Sequence, residues 1–264
     1  MTPVPPTNAT LVGKVAIVTG GSRGIGAGIV EELGRRGAQV AVTYTSQSSE
    51  ATVEELISRM NSCRTGNGIK AIKIRADLRD SSSPQAIVDA VTAAFGGRID
   101  ILVNNAGINK QSPLGQITTD DFANMFDTNV RALVLMTQAT IPHLSRNNAR
   151  IINIGSTAAR VGVPGISLYC ASKLAVEALT RSWASELGDR GVTVNTVAPG
   201  STQSDLLDAS TTSDDVAMEA QRTPVERRVG RPDDIAQVVA WLASEDSRWI
   251  SGQCICASGG YRQY

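Results

Sequence analysis

Tyr169 and Lys173 stand four residues apart, which on a helix places them on one face, one turn from each other. A phenol beside an ammonium is an acid/base unit. A tyrosine hydroxyl ordinarily titrates at about 10. An ammonium about 5 Å away favours the phenolate by about 3 kcal/mol at an effective dielectric of about 20. That corresponds to a fall of roughly two pKa units, enough to make Tyr169 a usable acid and base. Reduction of a ketone needs such a group, because the alkoxide that develops must take up a proton. Ser156, thirteen residues before Tyr169, can hydrogen-bond the substrate oxygen and hold it against the tyrosine. Asn129 lies within a long helical stretch. His143, the sole histidine, is expected to pack near a helix end rather than act as a base. Asn104 and Asn105 are compatible with capping a strand end, and Cys170 with small-residue packing.

The other reactant of such a reduction is a hydride donor, and the sequence offers a place for one. Thr19-Gly20-Gly21-Ser22-Arg23-Gly24-Ile25-Gly26 joins the first β-run directly to the first helix. Gly20 allows a tight turn, Gly24 lets the backbone approach a pyrophosphate, and Gly26 permits close helix–sheet packing. The helix N-terminus offers free N–H groups to phosphates. No Gly-Lys-Ser/Thr follows, which excludes a Walker-type loop. Cofactor choice is read at the end of the second strand, Val42-Thr43-Tyr44-Thr45-Ser46. A carboxylate there would bind the ribose 2′-hydroxyl of NAD and repel a 2′-phosphate. No acidic residue lies between Glu32 and Glu50. Hydroxyls at Tyr44, Thr45 and Ser46, with Arg23 as countercharge, predict NADP(H) and no metal ion.

The elements that must hold these groups alternate. Strands are expected at Lys14 to Thr19, Gln39 to Thr43, Ile69 to Arg75, Ile99 to Val103, Arg150 to Ile154, Val192 to Val197 and Gln253 to Cys256. Helices are expected at Ile25 to Arg36, Glu50 to Met60, Pro84 to Phe95, about Thr119 to Leu144, Leu168 to Leu187 and Asp233 to Ala243. Continuous apolar strands are buried on both faces, which implies a parallel sheet covered by helices. The expected fold is α/β: one doubly wound parallel sheet of about seven strands with helices on both faces. Residues 11–264 are expected to form this single domain after a Pro/Thr-rich stretch, Met1 to Thr10, that reads as a short flexible arm. The polar, irregular stretch from about 201 to 230 follows the sixth strand, where it is placed to act as a lid. Leu206, Leu207, Val216 and Met218 within it could cover an apolar substrate or pack on a core of their own.

Hydrophobic residues make up 42% of the 264, enough for a sizeable core. Lys plus Arg (25) equal Asp plus Glu (25), so no net field draws the chain to nucleic acid or acidic membrane. No apolar run reaches the roughly 18 residues of a membrane span, and the N-terminus lacks the layout of a signal peptide. Cys63, Cys170, Cys254 and Cys256 show no CxxC spacing, and reduced thiols in the cytoplasm fit them. Cys254 and Cys256 are expected to point to opposite faces of the last strand.

Taken together, these residues resemble the short-chain dehydrogenase/reductases from about Gly13 to Gly260. The likeness rests on the TGGSRGIG turn, Asp77 after the third strand and Asn104-Asn105-Ala106-Gly107 after the fourth. It continues through Asn129, Ser156, Tyr169, Lys173 and the Pro199-Gly200 pair. The resemblance implies a Rossmann-type fold and further roles. Asn129 would hold a water that links Lys173 to solvent, and Lys173 would also bind the nicotinamide ribose. Asp77 and the backbone of Leu78 would contact adenine, while Asn105, Ala106 and Gly107 would line the cofactor cleft. Residues after Pro199-Gly200, including Thr202 and Ser204, would bind the carboxamide; Ser204 stands where the family often has Thr. Homodimers or homotetramers built on the two long helices are implied.

Within the family the chain looks most like ketoacyl-carrier-protein reductases and fungal polyketide and naphthol reductases, on the stretch VTYTSQSSEA. That implies a carbonyl on a small secondary-metabolite, polyketide or acyl substrate. Oxidation of a secondary or sugar alcohol would use the same residues. So would a repurposed isomerisation, dehydration or cyclisation. A regulator that had lost catalysis would show a broken Tyr–Lys pair, and the pair is intact.

Overall fold

The computed structural model describes residues 9–62 and 71–264. Most of the expected N-terminal arm, Cys63, and Ile69 and Lys70 of the expected third strand lie outside the described residues. The strands are β1 (Val15–Val18), β2 (Gln39–Tyr44), β3 (Ala71–Arg75), β4 (Ile101–Asn104), β5 (Arg150–Ile154), β6 (Thr193–Pro199) and β7 (Cys254–Ala257). All pair in parallel, in the order β3-β2-β1-β4-β5-β6-β7. The order reverses between β1 and β4, where Val18 pairs with Val103. Such a reversal opens a crevice beyond the carboxyl ends of the strands.

Alternation along each strand divides the core in two. Ala16, Val18, Val40, Val42, Ile101 and Val103 face the side covered by α1 (Gly24–Arg35), α2 (Glu50–Ser62) and α9 (Pro232–Ala243). Val15, Ile17, Ala41, Leu102 and Ile151 face the side covered by α3 (Ser83–Phe95), α5 (Ala132–Thr140) and α6 (Ser167–Leu187). The expected doubly wound α/β sheet with helices on both faces is the fold observed. No helix among the described residues is long and apolar enough to cross a membrane.

The structure departs from the sequence expectations in three places. The helix expected from Thr119 to Leu144 is not one α-helix. It divides into α4 (Thr119–Phe126), a π turn (Asp127–Arg131) and α5, followed by a 3₁₀ turn. A π turn inserts one residue per turn and re-aims the side chains that follow, an arrangement common at functional sites. Second, the irregular 201–230 stretch contains α7 (Asp205–Ser210) and α8 (Ser213–Arg222), capped by the side chains of Ser204 and Thr212. Helices this short are marginal by propensity and rest on their caps.

Third, Cys254 and Cys256 share a face, because side chains two apart on a strand point the same way. Ile255 and Ala257 pack into the first core. Cys254 faces Glu177 of α6, and burial with that carboxylate pushes its thiol up to about 12. The Cys256 sulfur meets the Ser258 hydroxyl at 3.4 Å.

Candidate active site

The glycine-rich turn is anchored from both neighbouring strands. The Thr19 hydroxyl accepts the N–H groups of Asn105 and Ala106, each at 3.0 Å. The Asn105 amide donates to the carbonyls of Thr19 and Gly20, each at 2.9 Å. From the other side, Gly20 N–H donates to the Thr43 hydroxyl at 3.2 Å. The Asn105 side chain therefore clamps the turn rather than capping its own strand. Gly26 is dictated by closeness: a Cβ there would lie 2.2 Å from the Gly20 carbonyl oxygen. Gly24 has φ +53° and sits against Ser204, which would be 3.1 Å from an added Cβ. Arg23 caps α1 without a side-chain hydrogen bond, and no acidic residue occupies the first helical turn. The N–H groups beyond Ser22 and Ile25 therefore face no competing carboxylate of their own helix, which suits an anion.

At the tip of β2 the structure separates residues that the sequence grouped. Thr45 is exposed and its hydroxyl donates to the Ala76 carbonyl. The Ser46 hydroxyl accepts Ser48 N–H at 3.1 Å and lies against the Ser48 hydroxyl. Tyr44, by contrast, is buried, and its hydroxyl donates to Glu50 at 2.6 Å. Its hydroxyl is thus committed away from the cleft, against the expectation of a cofactor contact. Glu50, distant enough in sequence to look irrelevant, folds back from α2 onto this strand end. Lys73 of β3 binds both Glu50 and Glu54, so that carboxylate is already neutralised.

Asp77 follows β3 as expected, but Arg79 grips its carboxylate at 2.7 Å and holds it below the usual range. Leu78 is buried in the second core. The Arg23 guanidinium bonds Asp205 of α7 at 2.7 Å. Pro199 ends β6, Gly200 packs against Ser258, and the Thr202 hydroxyl donates to the Gly200 carbonyl at 2.9 Å. The Ser204 hydroxyl donates to the Thr202 carbonyl and accepts Leu207 N–H.

Beyond the ends of β4 and β5 the remaining groups converge. Lys173 is 5% exposed, and its ammonium donates to the Ile154 carbonyl at 2.8 Å. It stands 5.8 Å from the centre of the Tyr169 ring. Ser156 hydrogen-bonds the Tyr169 hydroxyl while its Oγ accepts Ala158 N–H at 3.2 Å. Burial pushes Tyr169 up, and the Ser156 hydrogen bond opposes that. Burial pulls Lys173 down to about 8. The expected two-unit fall of the tyrosine is therefore corrected. It counted only the attraction between the charges and left out the desolvation of each, which dominates here.

Asn129 sits in the π turn with its side chain spent on neighbours. Its Oδ1 accepts Ile108 N–H at 2.8 Å, and its Nδ2 donates to the Ile108 carbonyl at 2.9 Å and the Ser172 hydroxyl at 3.0 Å. Ser172, not anticipated from the sequence, donates in turn to the Tyr169 carbonyl at 2.8 Å. A Cβ on Gly107 would lie 3.3 Å from both Asn129 Oδ1 and Lys173 Nζ, so these three meet. Also unanticipated is a buried polar chain across the sheet, from Asn104 to Asn153, from Asn153 to Thr180 and from Thr180 to Thr196. It joins β4, β5 and β6 to α6, and places Asn104 in the scaffold. His143 lies at the opposite end of the sheet, its carbonyl accepting Ile99 N–H ahead of β4.

The family model described as Enoyl-(Acyl carrier protein) reductase matches residues 20–262. Dehydrogenase OXI1 of Cochliobolus heterostrophus is 45% identical over 226 residues, covering 84% of this chain and 96% of that one. Hydroxynaphthalene reductase arp2 of Aspergillus fumigatus is 37% identical over 258 residues, covering 94% and 92%. A short chain dehydrogenase from Burkholderia cenocepacia J2315, solved in complex with NADP, superposes with a TM-score of 0.85 at 41% identity, over 96% of this chain and 99% of that one. With this sheet, this glycine turn and a match over nearly its whole length, the chain belongs to the short-chain dehydrogenase/reductase family of oxidoreductases.

Proposed function

We propose that the chain is an NADPH-dependent reductase of a ketone or aldehyde on a small secondary-metabolite, polyketide or acyl substrate. The observation that carries this reading is the convergence of Ser156, Tyr169 and Lys173 beyond the strand ends that also bear the glycine turn. The glycine turn from Gly20 to Gly26 and Lys173 would hold the dinucleotide, which would supply the hydride for the carbonyl carbon. Tyr169 gives its proton to the carbonyl oxygen. Ser156 donates a hydrogen bond to that oxygen and orients it. The Lys173 ammonium stabilises the phenolate left behind, and a water held beside Asn129 would link Lys173 to solvent and return the proton. Burial pushes the Tyr169 hydroxyl up, which favours the proton-bearing form that a general acid needs. Leu206 and Met218 are exposed on the 201–230 segment, apolar surface suited to covering a substrate. The hydroxynaphthalene reductase among the relatives supports an aromatic or polyketide-like ketone. A screen of such ketones with NADPH, followed at the nicotinamide absorbance, tests the reading.

NADP(H) is favoured by the exposed hydroxyls of Thr45 and Ser46 and by the NADP complex of the Burkholderia relative. Thr45→Asp is expected to lower kcat/KM for NADPH by about 10- to 100-fold, since like charges at close range cost about 1–3 kcal/mol at intermediate dielectric. kcat/KM for NADH should hold or rise. An unchanged ratio would count against this strand end as the discriminator. Thr43 and Tyr44 are unsuitable for the same test because both are buried. Ser156→Ala should lower turnover by about 10- to 100-fold, the worth of one hydrogen bond to a charged oxygen. Cofactor affinity should hold. A large loss of cofactor binding instead would assign Ser156 to holding its turn. Exposed Phe122 on α4 and Leu174 on α6 support a homodimer or homotetramer on those helices, which sedimentation would register.

A further inference from the structure

The phosphate-binding turn and the 201–230 segment are joined by one ion pair. Arg23 Nη1 meets Asp205 Oδ2 at 2.7 Å, and the two side chains are 67% and 64% exposed. No other carboxylate bonds Arg23 among the described residues. Asp205 is the first residue of α7, whose cap, Ser204, lies against Gly24 of the turn. The segment therefore starts directly on the surface that a dinucleotide would cross, and its first carboxylate occupies the guanidinium nearest that surface.

We propose that Asp205 is an intramolecular competitor for the cofactor's 2′-phosphate, so that NADP(H), and not NAD(H), must displace α7 from the glycine turn. The proposal rests on the reading of Arg23 as the countercharge of that phosphate. A phosphate monoester carries up to two charges and three acceptor oxygens, and it matches the guanidinium fork better than one carboxylate oxygen does. It therefore wins the exchange. An ion pair this exposed is weak enough to be displaced and strong enough to bias binding. A nucleotide with a free 2′-hydroxyl has nothing to offer Arg23 and leaves the pair in place. The 2′-phosphate thus acts on the segment that covers the substrate side, and Asp205 sets part of the NADPH-to-NADH ratio.

A double-mutant cycle tests this on the intact protein, with dissociation constants for NADPH, NADH, 2′,5′-ADP and 5′-AMP at low salt. Asp205→Asn should tighten NADPH and 2′,5′-ADP by about two- to fivefold, the range an exposed pair supports, and leave NADH and 5′-AMP unchanged. The gain should vanish in about 0.5 M salt and in the Arg23→Gln background. Equal tightening of all four ligands, or none, overturns the proposal. A general effect on the α7 helix cannot mimic the expected result, because it would not distinguish the 2′-phosphate. If Arg23→Gln weakens NADPH while Asp205→Asn is silent, the competitor falls and the Arg23 reading stands. If Arg23→Gln leaves NADPH affinity unchanged, the Arg23 reading falls and takes this proposal with it.

Discussion

Tyr169→Phe is expected to lower NADPH-dependent ketone reduction by about 10²- to 10⁴-fold, the contribution of a positioned general acid. Dissociation constants for NADPH should stay within about twofold, because only one hydroxyl is lost and no fixed charge changes. The ring keeps its place on α6, and Lys173 keeps its bond to the Ile154 carbonyl. The variant should therefore fold, bind cofactor and fail at the proton transfer. The loss should fall on kcat and kcat/KM alike, as it does when an interaction made only in the transition state is removed. Near-normal turnover would overturn the mechanism. A loss confined to KM would move Tyr169 from chemistry to substrate binding.

Raising the pH through about 8 should switch reduction off in the wild type, and Lys173→Met should remove that switch. Burial lowers the Lys173 ammonium to about 8. Below that pH the charge is present and stabilises the phenolate formed as Tyr169 gives up its proton. Above it, the amine is neutral and the stabilisation is gone. Burial moves Tyr169 the other way, so its own loss of a proton comes at higher pH and does not produce this limb. At 5.8 Å from the ring centre, the charge is worth about 3 kcal/mol at an effective dielectric of about 20, or roughly 10²-fold in rate. Lys173→Met fills the same buried space without the charge. Its kcat/KM at pH 7 should be lower by about that factor and flat across pH 7–9. An alkaline limb that survives in the variant would assign the titration to another group.

Much of this site is legible in the sequence. Spacing of four is a property of the helix itself, so Tyr169 and Lys173 had to share a face. The glycines of the turn report local needs: a positive φ at Gly24, and a backbone that passes too close for a Cβ at Gly26. Continuous apolar strands imply burial on both faces wherever they occur. Cys254 and Cys256, two apart on β7, share a face by the same strand periodicity. The helix that became α4, a π turn and α5 was different. Nothing local marks the extra residue near Asn129, whose side chain is held by Ile108, far along the chain.

The sequence by itself determined where along the chain the candidate groups fall: a glycine-rich turn after the first strand, Tyr169 and Lys173 on one face of a late helix and Ser156 after the fifth strand. These follow from periodicity, spacing and backbone sterics, which act over a few residues. Only the tertiary structure decided partners and charge states. It set Lys73 of β3 against Glu50 at the tip of β2, and gave Arg23 to Asp205. It also reversed the expected shift of Tyr169, because desolvation depends on everything packed around a group, and most of that comes from distant parts of the chain.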